Sequence, residues 1–443
     1  MEYDLIIIGA GPGGYETAEL AAKQGQNVVL IERDELGGTC LNRGCIPTKA
    51  LCKSAETVRT LREAAKFGVE AELNALDFSK AIDRKNEVVA QLREGVATVL
   101  KDVTVVRGEA KFAGKGEVAV GGEIYHAPKI IIATGSRPAS LDIPGAELTI
   151  NSDFALEMRS IPSSMVIIGG GVIGMEFASI FSSFGVKVTV LEYCPEILPP
   201  FDAEIAKRLR MAMKRQGVEI AVGAQVTRVS EKVDKLSVSY SLKGKEKEAE
   251  AEAVLMAVGR RAVVPEGCEE SGIKLSRGFI EVNDRMETSV PGIYAIGDVN
   301  GRCMLAHAAT AQGRVALDLE QPLEPIPSAV FTSPKCAMTG LTEKQCEERG
   351  FDYSVGTATF RANGKALAMG EPDGLVKFIT EKSTGQILGC HICGPHSADL
   401  IQIVSVAISG GMNVGKFARS VFPHPTLSEA VKSAAEASIS ISL

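Results

Sequence analysis

At 443 residues and a formal charge of −7, the chain has length for two to four domains and no Lys- or Arg-rich face to hold nucleic acid. Its 45% apolar and 23% charged content is ordinary for a globular protein, and no uninterrupted apolar stretch reaches membrane-spanning length. Ten cysteines in so long a chain do not make a secreted disulfide scaffold. Met1 leads almost directly into a strand, without a basic n-region or apolar leader, and most of the cysteines are expected to be reduced core or surface thiols in a cytoplasm.

Leu5 to Ile8 is an unbroken leucine–isoleucine run, the pattern of a buried parallel strand. It feeds Gly9-Ala-Gly11-Pro12-Gly13-Gly14, then a helix expected over Tyr15 to Lys23 and closed by Gly25. A second strand, Val28 to Ile31, ends at Glu32, eighteen residues past Gly14. Glycines allow a pyrophosphate to approach a helix N-terminus, and the acid takes a ribose hydroxyl. A plain βα turn could carry the same glycines; the order strand, turn, helix, strand, acid is what marks a dinucleotide site.

The stretch Gly37 to Lys49 holds Cys40 and Cys45, with Pro47 just beyond. Proline suits a helix's first turn, so a helix is expected to open at or just before it. In one continuous helix, residues five apart have α-carbons roughly 8.7 Å apart, whereas a disulfide tolerates about 6.8 Å. The two sulfurs can therefore meet only if the chain before Cys45 is irregular, and Asn42 and Gly44 suit such a turn. A strained bridge at a helix N-terminus is easily reduced, and the dipole stabilises the thiolate it releases. This is the pattern of a catalytic disulfide.

Leu51 to Leu100 reads as helical with a break near Phe67-Gly68, followed by short strands at Val103 to Val106 and Glu117 to Val120. The strand Lys129 to Ala133 ends in Thr134-Gly135-Ser136, a second possible nucleotide contact or a plain strand end. From Met165 the first pattern repeats: Met165 to Ile168, Gly169-Gly-Gly171-Val-Ile-Gly174, a helix, and a strand ending at Glu192, again eighteen residues past the third glycine. Two such units argue for two dinucleotide sites. An acid there without a neighbouring arginine favours NAD over NADP. Asp202 to Gln216 is a capped amphipathic helix; the mixed-sign run Lys243 to Glu250 suits a solvated hairpin or loop. Asp298 follows Gly297 at the end of an apolar strand, suited to a polar cofactor tail or to a helix N-cap. Pro322 to Pro327 reads as a linker into a separate α+β domain. There, Cys390-His-Ile-Cys393 has half the spacing of a zinc site, but strand alternation would point its sulfurs to opposite faces, so core packing is expected. His424 stands between two prolines with Glu429 five residues on. Such a histidine is often structural, yet dithiol chemistry needs a proton acceptor near neutral pH, and a His oriented by a carboxylate supplies one.

The motifs Gly37-Gly-Thr-Cys-Leu-Asn-Arg-Gly-Cys-Ile-Pro-Thr-Lys49 and His424-Pro-Thr-Leu-Ser-Glu429, set among the two glycine fingerprints, resemble the pyridine nucleotide–disulfide oxidoreductases over essentially the whole chain. The likeness implies an α/β fold with two Rossmann-like dinucleotide-binding domains and a C-terminal α+β dimerisation domain. The divisions it implies are an FAD domain over 1–145, an NAD domain over 146–264, a return to the FAD domain over 265–325 and an interface domain over 326–443. It implies a homodimer in which each active site borrows His424 and Glu429 from the other subunit. Cys40 would exchange with substrate, Cys45 would be the charge-transfer thiol beside the flavin, and Lys49 would pair with Glu176. FAD would be held by Gly9, Gly11, Pro12, Gly13, Gly14, Glu32, Arg33, Gly38, Thr39, Lys49, Ala110, Thr134, Gly135, Ser136, Asp298, Ala306 and His307. NAD would face Gly169, Gly171, Val172, Ile173, Gly174, Glu176, Glu192, Val226 and Gly259. No metal is implied.

The implied reaction is FAD-dependent oxidation of protein-bound dihydrolipoyl groups to lipoyl with reduction of NAD, the lipoyl group arriving on another protein of a 2-oxoacid dehydrogenase or glycine-cleavage complex. A reductase of a small disulfide such as glutathione is the alternative within the class, though it usually goes with NADPH, which Glu192 disfavours. A non-catalytic flavoprotein scaffold is the alternative outside it, and intact Cys40, Cys45 and His424 speak against that. The end Ser438-Ile-Ser-Ile-Ser-Leu443 lacks the extra thiols of mercuric reductase or the large thioredoxin reductases. Phe422 stands where the family often has a further histidine, with little harm expected because His424 carries the base role.

Overall fold

The computed structural model describes residues 1–114 and 116–439; of the C-terminal run read above, residues 440–443 lie outside them. The first apolar run folds as expected: Leu5–Ile8 is buried at every position. Five strands form a parallel sheet in the order Thr104–Arg107, Val28–Glu32, Leu5–Ile8, Lys129–Ile132, Ile293–Ala295. Strand order reverses beside Leu5–Ile8, and a doubly wound sheet binds its ligand at the carboxyl end of such a switch point. Alternate residues serve opposite faces. Leu5, Ile7 and Leu30 share a core with Ala18, Ala21, Val89 and Val96 of the helices. Ile6, Ile8, Val29 and Ile31 share another with Phe112, Val118 and Tyr125 of a small antiparallel sheet.

The helices of this unit are α1 (Pro12–Lys23), α2 (Gly38–Arg43), α3 (Cys45–Glu63) and α4 (Phe78–Val99). Helix α1 starts three residues before the expected Tyr15, because Pro12 takes its first position behind an extended Gly11. The break expected near Phe67-Gly68 is present: α3 passes into a short 3-10 turn over Ala64–Phe67, and Gly68 ends it in the left-handed conformation at φ 74°.

A second parallel sheet repeats the plan in the order Glu219–Val222, Lys187–Glu192, Ser164–Ile168, Ala253–Met256, with α5 (Val172–Ser183) and α6 (Ala203–Arg215) packed on it. The charged run Lys243 to Glu250 is a hairpin turn and solvated outer strand, and Lys232 on the first strand of that ribbon binds both Glu248 and Glu250 at 2.7 Å. The chain then returns to complete the first sheet with Ile293–Ala295 and lays α7 (Ala306–Ala316) beside α1. No regular element falls within Pro322 to Pro327. Beyond it, Ser328–Val330, Lys335–Gly340, Ile387–Gly394, Leu375–Glu381 and Tyr353–Thr359 form an antiparallel sheet in that order. Helices α8 (Ser397–Ser409) and α9 (Ser428–Ser438) bury one of its faces, with Cys390 among the residues there. The other face, with Cys393, shares a core with Phe177 and Phe181 of α5. Strand alternation thus separates Cys390 from Cys393 as expected. Among the described residues no group of three metal-ligating side chains occurs and no helix is long and apolar enough to cross a membrane.

Candidate active site

Cys40 and Cys45 belong to two helices, not one. Gly44 ends α2 and precedes Cys45, the first residue of α3. This break overcomes the separation that a single helix would impose, and the two thiols come together side chain to side chain. Gly44 is required by close approach: a Cβ there would stand 2.9 Å from the Thr39 carbonyl oxygen and 3.4 Å from the Cys40 Cα. The expected irregular turn is narrower than the sequence suggested. Asn42 lies inside α2, where its amide donates to the carbonyls of Leu36 and Gly38 at 2.9 Å each and its oxygen accepts from Arg93 on α4. Helix α3 starts two residues before Pro47, so Cys45 has its first-turn position.

That position and its neighbours polarise the pair. The hydrogen bond from Cys40, helped by the charge of Lys49, brings the Cys45 thiol down to about 7, while burial and Glu176 act the other way. The same hydrogen bond, with burial, pushes Cys40 far above the usual thiol range. Of the two coupled thiols, Cys45 therefore loses its proton the more readily and Cys40 holds its own the more tightly. Cys45 is also the more exposed of the two.

Lys49 follows Cys45 by one turn of α3. Its ammonium lies 3.0 Å from both carboxylate oxygens of Glu176 on α5, so the paired arrangement expected from the likeness is present. Burial opposes the Lys49 charge, but Glu176 outweighs it and leaves the ammonium more basic than an ordinary lysine. Glu176 is buried, and its third bond comes from the Phe331 N–H at 2.9 Å. Lys49 also stands 4.6 Å above the Phe331 ring. No signal near Phe331 in the sequence points to this role.

The two glycine turns are near copies. In each, the third glycine packs against the first: a Cβ on Gly14 would stand 1.9 Å from the Gly9 oxygen, and one on Gly174 2.0 Å from the Gly169 oxygen. Glu32 accepts from the N–H groups of Ala10 and Asp34 at 2.6 and 2.8 Å, and Glu192 accepts likewise from Gly170 and Cys194. Helices α1 and α5 begin behind Gly11 and Gly171 with no side-chain cap. Nothing lies within 4 Å of where a Cβ on either glycine would stand. Uncapped helix N-termini behind open glycine cradles, each with a buried acid one strand away, fit the pyrophosphate and ribose of a dinucleotide. Pro12, Gly13, Val172 and Ile173 lie in the first turns of these helices.

The remaining expected cofactor contacts fall around the first sheet. Asp298 does not cap a helix by its side chain; it lies in the 3-10 turn Gly297–Asn300, and its carboxylate accepts from the Ser136 hydroxyl. Thr134 donates to the Val263 carbonyl, whose own N–H reaches the Gly135 oxygen at 2.9 Å. Arg33 pairs with Glu109 beside buried Ala110. Gly38 approaches Gly11 so closely that a Cβ would stand 2.6 Å from the Gly11 Cα. Ala306 opens α7, and His307 bonds the Pro327 carbonyl through Nε2 at 2.8 Å. Val226 is buried in the second unit's core and Gly259 has φ 107°. Two further residues escaped the sequence reading. Arg260 donates to the Ser136 hydroxyl and carbonyl at 2.7 Å each, and Gln312 accepts from the Gly297 N–H at 2.8 Å and from Asn300 at 2.9 Å. The only local cue to Arg260 was its place after Gly259 at a strand end.

In the C-terminal domain, His424 Nδ1 lies 2.9 Å from Glu429, whose other oxygen accepts from the Thr426 N–H. That N–H, and then His424, hold the Glu429 carboxyl below its usual range. The imidazole is 80% exposed, and its side-chain bond within the chain is to Glu429. Phe422 packs on the ring of Phe417 at 5.7 Å between centroids, an apolar role in the core under α9.

A family model described as pyridine nucleotide-disulphide oxidoreductase matches residues 3–313, and that family's dimerisation domain matches residues 326–435. Two proteins named dihydrolipoyl dehydrogenase are similar throughout: one from Thermus scotoductus at 42% identity and one from Bacillus subtilis at 40%, each covering 98% of this chain and 97% of the relative. Among solved structures, the HOCl-induced flavoprotein disulfide reductase RclA from Escherichia coli superposes with a TM-score of 0.88 at 31% identity, over 98% of this chain and 99% of that one. A polarised cysteine pair across a helix break, two glycine cradles and matches along nearly the whole length lead to one conclusion: the chain belongs to the pyridine nucleotide-disulphide oxidoreductase family.

Proposed function

We propose that the protein is a dihydrolipoyl dehydrogenase, oxidising protein-bound dihydrolipoyl groups to lipoyl and passing the electrons through FAD to NAD. The observation that carries this reading is the Cys40–Cys45 pair, brought together across the helix break at Gly44 beside the Lys49–Glu176 ion pair. Gly9, Gly11, Gly14, Glu32, Ser136 and Asp298 of the first unit would hold FAD. Gly169, Gly171, Gly174 and Glu192 of the second unit would hold NAD. The units run over 1–145 with 265–325, 146–264 and 326–443. The dimerisation domain supports a homodimer, and the solvent-facing His424 suits a base that works on the other subunit's cysteines. We place the enzyme in the cytoplasm.

In the oxidised enzyme Cys40 and Cys45 are bridged. His424, oriented by Glu429, takes the proton of one dihydrolipoyl thiol. The resulting thiolate attacks Cys40 Sγ, the bridge breaks, and the electron pair stays on Cys45, where the helix N-terminus and Lys49 favour negative charge. The second substrate thiol then displaces Cys40 and leaves as cyclic lipoyl disulfide, its proton going to the departing Cys40 sulfur while the first remains on His424. Cys40 keeps one proton. Bound FAD supplies the two-electron chemistry that returns the dithiol to its bridged form and reduces NAD. Lys49 and Glu176 keep a fixed charge pair beside Cys45 through the cycle.

The test is rapid-mixing reduction of the purified holoenzyme with dihydrolipoamide and, separately, with reduced glutathione. Rapid growth of long-wavelength absorbance with dihydrolipoamide alone supports the proposal; response to glutathione alone would replace it with a small-disulfide reductase.

A further inference from the structure

Cys393 does not belong with Cys390. Its partner is Cys336, directly opposite on the neighbouring antiparallel strand. The two thiols are 0% and 1% exposed and lie in the apolar core that also holds Val330 and Leu375. Directly opposed residues of an antiparallel pair have α-carbons about 4.5–5.5 Å apart, inside the range of about 4.4–6.8 Å that a disulfide spans. Diagonal neighbours, at roughly 7–8 Å, do not qualify. The register therefore does here what the helix break at Gly44 does for the catalytic pair: it sets two cysteines opposite each other with their side chains in contact. With no third ligand among the described residues, the pair does not form a metal site.

We propose that Cys336 and Cys393 are a second dithiol–disulfide couple, bridged when the chain folds in the presence of a low-molecular-weight disulfide and dithiol otherwise. In the exchange, one cysteine thiolate attacks the small disulfide to give a mixed disulfide and one small thiol. The other cysteine thiolate then displaces the second small thiol, so two protein hydrogens leave as two small thiols and one cross-strand S–S bond forms. Burial, with the contact to Cys393, pushes the Cys336 thiol well up. Once the sheet has closed, the buried pair is out of reach of substrate and small reductants. The couple is therefore set at folding and does not turn over. A bridge between positions 336 and 393 ties strands that are distant in sequence, and restricts the unfolded chain accordingly.

The test compares holoenzyme produced in cells with a reducing cytoplasm and in cells with an oxidising one. Each sample is denatured in N-ethylmaleimide, digested without reduction and mapped by mass spectrometry. The expected result is a Cys336–Cys393 linked peptide in the oxidising material only, together with a Tm several degrees higher. Cys393→Val, which preserves the apolar packing, should abolish the difference in Tm between the two sources. Full alkylation of both cysteines in both materials would overturn the proposal, and so would a bridge from Cys336 to any other thiol. The wild-type map gives this answer whether or not the variant folds.

Discussion

Lys49→Met is the substitution that most directly tests how the site makes a thiolate. Cys45 is held at about 7, against 9.0 for an unperturbed thiol. At pH 7 about half of Cys45 is therefore ionised, where an ordinary cysteine would be ionised to the extent of about 1%. Two influences lower it, first the hydrogen bond from Cys40 and then Lys49, while burial and Glu176 raise it. Removing the ammonium leaves the Cys40 hydrogen bond and takes away the second influence, so the value should rise by roughly one unit, a tenfold loss of thiolate at fixed pH below the inflection. Glu176→Gln has the opposite sign: a carboxylate that opposes the thiolate is lost, and the inflection should fall. The assay is a pH titration of the long-wavelength absorbance of enzyme reduced by one equivalent of dihydrolipoamide, with peptide mapping to confirm that Cys45 is the thiolate. An inflection that stays in place in Lys49→Met, or moves in the same direction in both variants, would refute the electrostatic account.

Three other outcomes follow from the same geometry. Gly44→Ala places a methyl group against the Thr39 carbonyl and the Cys40 backbone. It should cut dihydrolipoamide oxidation more than tenfold while leaving a folded flavoprotein, and a thiol count should show slower closure of the Cys40–Cys45 bridge; normal closure would contradict the close-approach argument. His424→Gln should slow the dihydrolipoamide half-reaction far more than NADH oxidation by an artificial acceptor, and equal slowing of both would count against the base role. Lys377→Met should cost about 3–5 kcal/mol in denaturant unfolding, because Lys377 and Asp202 are each 4% exposed, lie 3.1 Å apart, and connect the C-terminal sheet to the start of α6. Burial opposes the Lys377 charge, but Glu343 and Asp202 outweigh it and raise its pKa. The contribution should therefore be complete below the unfolded lysine value of about 10.4 and vanish only as pH rises through the higher folded value; a loss on acidification through the same range would be the wrong sign.

What was legible in the sequence was local. Leu5 to Ile8 and Gly9 to Gly14 carry both the strand and the turn, because burial on two faces and close backbone packing restrict residue type position by position. Glu32 and Glu192 were legible because the carboxylate grips N–H groups of its own βαβ unit. The same locality explains the misreading of Asn42. Its type suits a turn, yet within α2 its side chain bonds two preceding carbonyls and an arginine from α4, and tertiary partners override propensity. Phe331, Arg260 and Gln312 were not legible, since each acts on a residue supplied by another part of the chain. Cys336 and Cys393 illustrate the limit most clearly. The eye pairs Cys393 with Cys390, three positions away, whereas sheet register pairs it with a cysteine 57 positions earlier.

Glu176 shows why such an enzyme is assembled from several units of one chain. Its carboxylate lies on a helix of the second unit, its cation comes from the helix that carries Cys45 in the first, and its N–H donor is Phe331, just beyond the first strand of the C-terminal sheet. A buried carboxylate with one partner removed is costly, so each unit is held in place by the other two at this point. Ser333, two residues further, donates its N–H to Ser179 one helical turn along α5, which makes the attachment a two-point one and fixes rotation as well as distance. The charge beside Cys45 thus depends on the seating of the C-terminal domain. Loosening that domain should change the Cys45 titration before it changes the cysteine pair itself.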